Sequence, residues 1–579
     1  MKVCICEKPS VAKDIAKVLG AKDIKDGYFE GNGYQVTWTY GHLCELKMPE
    51  EYHPAWKRWN YGMLPIIPPK FKIKVMNDEG VKRQFEVIRS LVTVADEVIN
   101  CGDAGQEGEL IQRWVLHLCK ATCPVRRLWI SSLTEKAIKD GFKNLQPSER
   151  YDNLYKAGMT RSVCDWLLGI NATRFYTLRN NKGQFGNLQS VGRVQTPTLA
   201  MVVERDREVE AFVSNDFYTL STMVDIKDSE CRFFNSTKYT DKKEVDEVLK
   251  RIKTEDFVIT DIKKTDKSEK PPKLFDLTSL QVYCNNIFGY SAEDTLGYIQ
   301  SLYEKKILTY PRVDTCYLPD HMVGECGAVL NQLRSAFEDI NALDTANLRK
   351  RKTVFDSEKV TDHHAIIPTG RVVYDLSDEE GNVFDAVVKR FICVFYPDYE
   401  YSETNVIGKA GDVEFKANGR FVYNTGFYDV IGGAPQDVVL PNYEVGDEGP
   451  HKPKAEKKST TPPSRFTEAT LLRAMETAGK NFDDDIKEAM KENGIGRPST
   501  RASIIEILIK RGYIVRDKKK VLSTEAGRKL IDSIDFDMLK SARMTGEWEC
   551  KLRQIERGEY DATVFIDDMK NTVRQIIGK

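Results

Sequence analysis

The sequence predicts a multi-domain protein, α/β at its amino end and α+β beyond, and three observations carry that prediction. The chain of 579 residues exceeds what one hydrophobic core organises at roughly 100–200 residues per domain, so three to five domains are expected. A strand followed by a helix occurs twice in the first 150 residues, which is the pattern of a parallel α/β sheet. Two charged, proline-containing stretches then bracket the middle of the chain.

The opening KVCIC alternates as a strand does. In SVAKDIAKVLG, which follows, Val11, Ile15 and Val18 fall at helical spacing, with Ser10 the expected cap and Gly20 the stop. ADEVINC and GELIQRWVLHLC repeat the arrangement. Glu7 and Asp103 are thereby set just past the carboxyl ends of two strands, the edge where open α/β sheets bind ligands. The stretches KKTDKSEKPPK (263–273) and GDEGPHKPKAEKKSTTPPS (446–464) have linker composition. Between them LTSLQVYCNNIF and SAEDTLGYIQSLYEKK read as helices that lead into an extended ILTYPRVD. Beyond them TEATLLRAMETAG and STRASIIEILIKRGYIV read as helices ending in a strand. There is no internal repeat.

Composition narrows the function classes. With 41% hydrophobic and 30% charged residues and no apolar run long enough for a bilayer, a membrane role is not expected. The amino terminus has no signal-peptide pattern, so the cytoplasm is the expected compartment. Thirteen cysteines, an odd number with no Cys-x-x-Cys pair, read as reduced thiols filling small apolar gaps rather than as zinc ribbons. A net charge of −1 is silent on nucleic acid, so any such partner needs a local basic surface.

Two stretches carry candidate chemistry. INCGDAGQEGELI sets Asp103, Glu107 and Glu109 in a glycine-containing turn. Acids at a helix start also simply favour the helix dipole. With Glu7 in the equivalent place after the first strand, however, oxygen ligands from separate loops suit Mg²⁺ beside a phosphate. No Gly-x-x-x-x-Gly-Lys-[Ser/Thr] loop is present, which disfavours an ATP-driven motor. In KKILTYPRVDTCYLP, Pro311 keeps the chain extended and Tyr310 and Arg312 project to one side. A phenol of reference pKa near 10 is a weak nucleophile, and an adjacent guanidinium is expected to favour the phenolate and grip a phosphate.

Supporting signals are weaker. His363 and His364 in VTDHHAIIPTG lack a third ligand for zinc, though one could donate to a phosphate. Arg161, Arg174, Arg179, Lys182 and Arg193 face a single acid, Asp165, with Phe175, Tyr176 and Phe185 interleaved. A basic groove with stacking rings would hold a single strand, whereas an ordinary basic helix face is the plain alternative. GIGRPSTRAS offers amides, hydroxyls and arginines at a helix start, a phosphate site.

Several ordered motifs together resemble the type IA DNA topoisomerases, nearest their bacterial topoisomerase III branch: EKPSVA at Glu7, DAGQEGE at Asp103, DWLLGINATR at Asp165, QSVGRVQTPTL at Gln189, LYEKKILTYPRVD at Leu302, HHAIIPT at His363 and GIGRPSTRASII at Gly494. The resemblance implies a toroid. Its parts would be a Toprim domain (1–152), a discontinuous helical DNA-binding domain (153–213 and 460–579), a discontinuous β-rich arch (214–275 and 398–459) and a gate domain (276–397) that lifts away carrying the active-site tyrosine.

The resemblance also implies an ATP-independent enzyme that cuts one strand through a 5′-phosphotyrosine bond, passes a strand and reseals, relaxing negative supercoils and decatenating. Tyr310 would be the nucleophile. Arg312 would orient the phosphate, Lys8 would assist electrostatically, Glu7 would handle the leaving proton or share the metal, and His363 would stand near the nucleophile. Asp103 and Glu107 would hold Mg²⁺ with Glu7, while Arg161, Arg193, Gln195, Thr500 and Arg501 would line the strand groove. The expected partners are single-stranded DNA and supercoiled or catenated duplex, with a helicase a candidate companion, for a monomer on the cytoplasmic nucleoid.

Two departures matter. Many members carry Asp-x-Asp-x-Glu in the acidic turn and then an arginine, where this chain has Gly105 and Gln106. With one carboxylate fewer, a single strongly held Mg²⁺ is expected. Cysteine-rich zinc modules found in some relatives are also missing from the sequence. Because Toprim units occur in primases and nucleases too, a metal-dependent nuclease or primase, or a non-enzymatic single-strand binding protein, are the alternatives, and Tyr310 discriminates among them.

Overall fold

The computed structural model describes residues 1–130, 133, 135–183, 186–360, 363–480, 482–483, 490 and 494–578. A seven-stranded sheet opens the chain, in the order Asp23–Lys25, Tyr28–Gly31, Tyr34–Trp38, Lys2–Cys6, Glu97–Cys101, Val125–Arg127, Gln146–Pro147. The four strands from Tyr34–Trp38 to Val125–Arg127 are parallel, and the outer ones are antiparallel. The sheet is therefore mixed rather than wholly parallel. KVCIC and EVINC are buried almost throughout because both faces are covered. Helices Pro9–Leu19 and Glu135–Lys143 cover one face, and Glu79–Thr93, Gln106–Cys119 and the long helix Asp152–Asn180 cover the other.

Helix Pro9–Leu19 starts two residues earlier than the sequence suggests. Lys8 occupies the cap position with extended backbone and Pro9 takes the first helical turn, so Ser10 does not cap, while Gly20 closes the helix at φ 78°. The consequence is functional, since the Lys8 side chain leaves the helix at the sheet's carboxyl edge.

The apolar core runs without a break from this sheet into the helices Asp152–Asn180, Gln195–Ala211, Glu468–Thr477, Pro498–Lys510, Ala542–Arg557 and Ala562–Ile577. A second core gathers the helices Leu277–Ile287, Ala292–Glu304, Val323–Leu333 and Asp378–Cys393 around Ile307, Leu308 and Ile366. A third belongs to another seven-stranded sheet, antiparallel throughout, in the order Glu448–Gly449, Phe257–Glu269, Tyr399–Ala410, Val413–Asn424, Ser229–Tyr239, Asp216–Ile226, His451–Ser459. Helix Lys242–Ile252 packs on one face of it.

The two stretches of linker composition are largely strand. Residues 263–269 continue Phe257–Glu269 and pair with Tyr399–Asn405, and His451–Ser459 pairs with Asp216–Val224. Their charge reflects exposed faces, since a ladder needs backbone groups and not apolar side chains. The chain crosses between cores in the short segments after them, and also at 212–215 and just after Cys393.

Candidate active site

Glu7 and Asp103 come together because their strands are in register. Cys6 pairs with Cys101 in adjacent parallel strands, so both chains turn out of the sheet side by side, and the Asp103 amide donates to Glu7 Oε2 at 3.3 Å. The turn is tight: a Cβ on Gly108 would lie 2.2 Å from the Asp103 carbonyl oxygen, so glycine is required there.

The third acid of the turn is structural. Glu109 is fully buried and accepts from Arg127 Nε (2.9 Å), Arg113 Nε (2.7 Å) and Asn100 Nδ2 (3.1 Å). Arg127, itself fully buried, also donates to the carbonyls of Gly102 and Asp103, each at 2.7 Å. A paired, fully hydrogen-bonded buried charge therefore clamps the loop that presents Asp103. Arg127 escaped sequence reading. Its only signal was a charge in the strand VRR.

Lys8 joins the sheet edge to the tyrosine segment. Its ammonium donates to Asp103 Oδ2 and to Tyr310 Oη, both at 3.0 Å, and lies 3.7 Å from Glu7 Oε1. Burial opposes the Lys8 charge, but Asp103, Tyr310 and Glu7 outweigh it and raise its pKa, so it stays an ammonium. Burial and then Asp103 push the Glu7 carboxyl upward. Tyr310 is raised as well, by burial first and by Asp103 and Glu7, against the pull of Lys8. The phenol is thus held protonated, contrary to the expectation of a favoured phenolate, because burial, helped by the two carboxylates, outweighs the one ammonium.

Arg312 is exposed on the same extended run, and among the described residues no hydrogen bond or ion pair places it on the phenol. The cation beside Tyr310 is Lys8. The His363 ring lies 4.3 Å from the Tyr310 ring, and burial lowers its pKa to about 4, leaving a neutral imidazole at pH 7. His364 turns to the Ala365 carbonyl, with Nδ1 at 2.8 Å. The tyrosine segment is held by Thr309 N donating to the Ile367 carbonyl and Ile367 N donating to Thr309 Oγ1, each at 3.0 Å.

Glu107 points elsewhere. Its Oε1 lies 2.5 Å from His42 Nε2. Burial works against its charge, but His42, Arg497 and Arg161 outweigh that and hold the carboxyl below the usual range. His42 was not foreseen. Its loop is stitched to the first strand by Thr39 N to the Cys6 carbonyl (2.8 Å) and Gly41 N to the Glu7 carbonyl (3.2 Å). Among the described residues no three His, Cys, Asp or Glu side chains are grouped so as to hold a metal ion. Glu7 and Asp103 offer hard oxygen donors side by side, which fits a hard divalent cation with water completing its shell.

The expected strand-groove residues are tied into the protein. Arg161 makes a two-pronged pair with Glu549 (2.9 and 2.8 Å) and donates to Gln106 Oε1 at 2.9 Å. Arg193 bonds Asp165 and Glu549, each at 3.0 Å. Arg161 and Arg193 together overcome burial and lower the Glu549 pKa to about 2. Gln195 bonds Ser190 at 2.9 Å and accepts from Arg511 at 2.6 Å. Arg501, fully buried, reaches Thr278 Oγ1 at 2.9 Å, and Thr500 is exposed with its hydroxyl on the Arg497 carbonyl. Gln106, Arg161, Arg497, Arg553 and Arg557 nonetheless line a cavity of about 320 Å³. Of the rings expected to stack, Tyr176 is fully buried with its hydroxyl on Asp535 (3.0 Å), because its helix packs on most sides, and Phe185 lies outside the described residues.

Comparison with known families decides the class. Residues 2–133 match the Toprim domain, which alone leaves primases and nucleases open. Residues 149–567 match the DNA topoisomerase family. The chain belongs to the DNA topoisomerases. It is 38% identical to DNA topoisomerase 3 of Bacillus cereus over 100% of this chain and 81% of that protein. Against DNA topoisomerase 3 of Bacillus subtilis it is 36% identical over 99% of this chain and 81% of that one. Full-length topoisomerase I from Thermotoga maritima shares its fold, with a TM-score of 0.73 at 22% identity over 99% of this chain and 90% of that chain. These place this topoisomerase in the type IA class, ATP-independent isomerases of DNA that relax supercoils and decatenate. Its Toprim domain is a metal-binding domain. Among the described residues no helix is long and apolar enough to cross a membrane.

Proposed function

We propose that this topoisomerase cuts a single DNA strand with Tyr310, in a centre built from Glu7, Lys8, Asp103 and His363. The observation that carries the reading is the Lys8 ammonium bonded at once to Tyr310 Oη and Asp103 Oδ2, each at 3.0 Å, across 302 residues of chain. The Tyr310 oxygen attacks phosphorus, the bond from phosphorus to the 3′-oxygen breaks, and the 5′ phosphate stays on the protein. The phenol gives its proton to solvent water as the new bond forms, and Glu7, with its raised pKa, donates one to the departing oxygen. Lys8 keeps its charge and stabilises the anionic phosphorane. The neutral His363 ring orients the phenol, and Arg312 turns from solvent to the phosphate when DNA is bound. Resealing reverses these steps, since a phosphotyrosine ester stores the energy of the bond it replaced.

The metal in this reading is Mg²⁺, held by Asp103, shared by Glu7 when that carboxyl is ionised, and reached by Glu107 only if Glu107 leaves His42. When bound, Mg²⁺ supplies positive charge to the phosphate oxygens. Chelation should therefore abolish relaxation, and insensitivity to it would count against the assignment. Arg161, Arg193, Gln195, Thr500 and Arg501 frame the strand groove, with the arginine-lined cavity as its phosphate-facing part. Residues 276–397 form the gate, which meets the Toprim domain (1–152) through Lys8–Tyr310 and a Lys306–Asp14 contact of 3.2 Å. Residues 214–275 and 398–459 form the arch, and 153–213 with 460–579 the helical DNA-binding part. The enzyme works as a monomer on the nucleoid, beside a helicase that exposes single strands.

The test is direct. Tyr310→Phe, incubated with an oligonucleotide labelled at its 3′ end, should leave no label on the denatured protein, while wild type retains it. A Tyr310→Phe protein that still forms the adduct would sink the assignment. Wild type with Mg²⁺ and no nucleotide should relax a negatively supercoiled plasmid.

A further inference from the structure

Three thiols meet beneath the strand ends that carry Glu7 and Asp103, and the chemistry proposed above uses none of them. Cys4 and Cys6 share one face of the strand Lys2–Cys6, and Cys101 is the register partner of Cys6 on the neighbouring strand. All three are free, with 0%, 0% and 4% of their surface exposed. The Cys101 thiol lies against both of the others. It also lines a small cavity together with Lys8, Asp103, Tyr310 and His363, members of the centre proposed above.

All three thiols belong to the apolar core on this face of the sheet. Their placement meets the geometric demands of a bridge. Register partners on adjacent strands sit about 4.8 Å apart, inside the range of Cα separations that disulfides span, and side chains on one face of parallel strands point the same way. In reducing compartments such bridges are transient and regulatory.

We propose that Cys101 is an oxidation site, and that a peroxide entering the cleft closes a Cys6–Cys101 disulfide that reversibly shuts off DNA cleavage. In the first step the Cys101 sulfur takes one peroxide oxygen: the O–O bond breaks, a sulfenic acid forms and one water leaves. The Cys6 sulfur then attacks that sulfur, the S–O bond breaks, and the hydroxyl leaves with the Cys6 proton as a second water. Two thiols have lost two electrons, and the peroxide has become two waters. A dithiol reductant restores both thiols by exchange. Drawing the sulfurs from non-bonded contact to about 2.05 Å pulls the last residue of each strand. Glu7 follows Cys6 directly and Asp103 lies two residues beyond Cys101, so the pair that meets through the Asp103 amide is displaced. A shift of about 1 Å at a reacting group costs on the order of 100-fold in rate.

The experiment treats the full chain with hydrogen peroxide, blocks free thiols, digests without reduction and maps linked peptides by mass spectrometry, with plasmid relaxation followed in parallel. The expected result is a Cys6–Cys101 linked peptide, relaxation reduced on the order of 100-fold, and recovery with dithiothreitol. Cys101→Ala should keep the basal rate and resist the same peroxide dose. Cys4→Ala combined with Cys6→Ala should stop at the sulfenic acid, trapped on Cys101 by dimedone, which keeps the proposal testable if Cys101→Ala fails to fold. Absence of the 6–101 bridge in fully inactivated protein, no dimedone adduct on Cys101 in that double variant, or equal peroxide sensitivity of Cys101→Ala would each overturn it. Peptide mapping needs no catalytic turnover, so its failure and failure of the Tyr310 assignment are separate results.

Discussion

The two seven-stranded sheets of this topoisomerase are built on opposite principles. In the amino-terminal sheet both faces are covered, KVCIC and EVINC are almost wholly buried, and the reactive groups leave from the ends of the strands. In the antiparallel sheet, Val413–Asn424 begins with buried and exposed residues in strict alternation, helix Lys242–Ile252 covers one face, and none of the proposed catalytic groups belongs to it. The difference shows where accuracy is needed. A sheet packed on both sides holds its carboxyl edge rigidly enough to align Glu7, Lys8 and Asp103, while a sheet with one open face serves as a frame.

If that contrast is right, damage at the carboxyl edge should show in chemistry and damage on the open face in nothing. The largest effect is expected for Lys8→Ala. Adduct formation should fall about 10²–10³-fold, as for loss of one preorganised donor, with single-strand affinity in a filter assay little changed. Next, Arg127→Ala leaves Glu109 without one of its two cations and the carbonyls of Gly102 and Asp103 without a donor. Breaking such a buried pair costs about 3–5 kcal/mol, readable in urea unfolding.

A pH effect follows from Glu549. Its pKa when folded is about 2, below the roughly 4.3 of an unfolded glutamate. The lowered value means its stabilisation is complete above the unfolded pKa and disappears as pH falls through the folded one. Stability should therefore drop between about pH 4.3 and 2, and Glu549→Gln should flatten that part of a melting-temperature profile. The smallest effect belongs to Lys416→Ser on the open face, expected within about 0.5 kcal/mol in the same unfolding assay. A larger loss there would break the contrast between the sheets.

Local pattern revealed what is local. The strand and helix pairs around Glu7 and Asp103 were legible because their apolar spacing reflects burial by neighbours in sequence. The strands at 263–269 and 451–459 were not, because their partners lie far off, Lys263 opposite Asn405 and Ser459 opposite Asp216, and pairing leaves no mark on polar side chains. Tyr310 could be singled out, yet its cation was read as Arg312, two residues away, whereas the fold supplies Lys8. His42 carried no signal beyond being a histidine after a glycine. Arg161 and Arg193 looked like free cations because Glu549, their partner, lies more than 350 residues later in the chain.

One detail of the second sheet bears on how the molecule can be taken apart. Asp216 lies opposite Ser459, and Asn215 and Thr460 exchange backbone and side-chain hydrogen bonds at 2.9 Å, so the chain departs and comes back through a single doorway. Everything between is an excursion hung from two neighbouring threads. A short turn spliced across that doorway could replace it, at the expense of the contacts by which the excursion also touches the rest, Lys8–Tyr310, Arg501–Thr278 and the Ala292 amide on Glu468 among them.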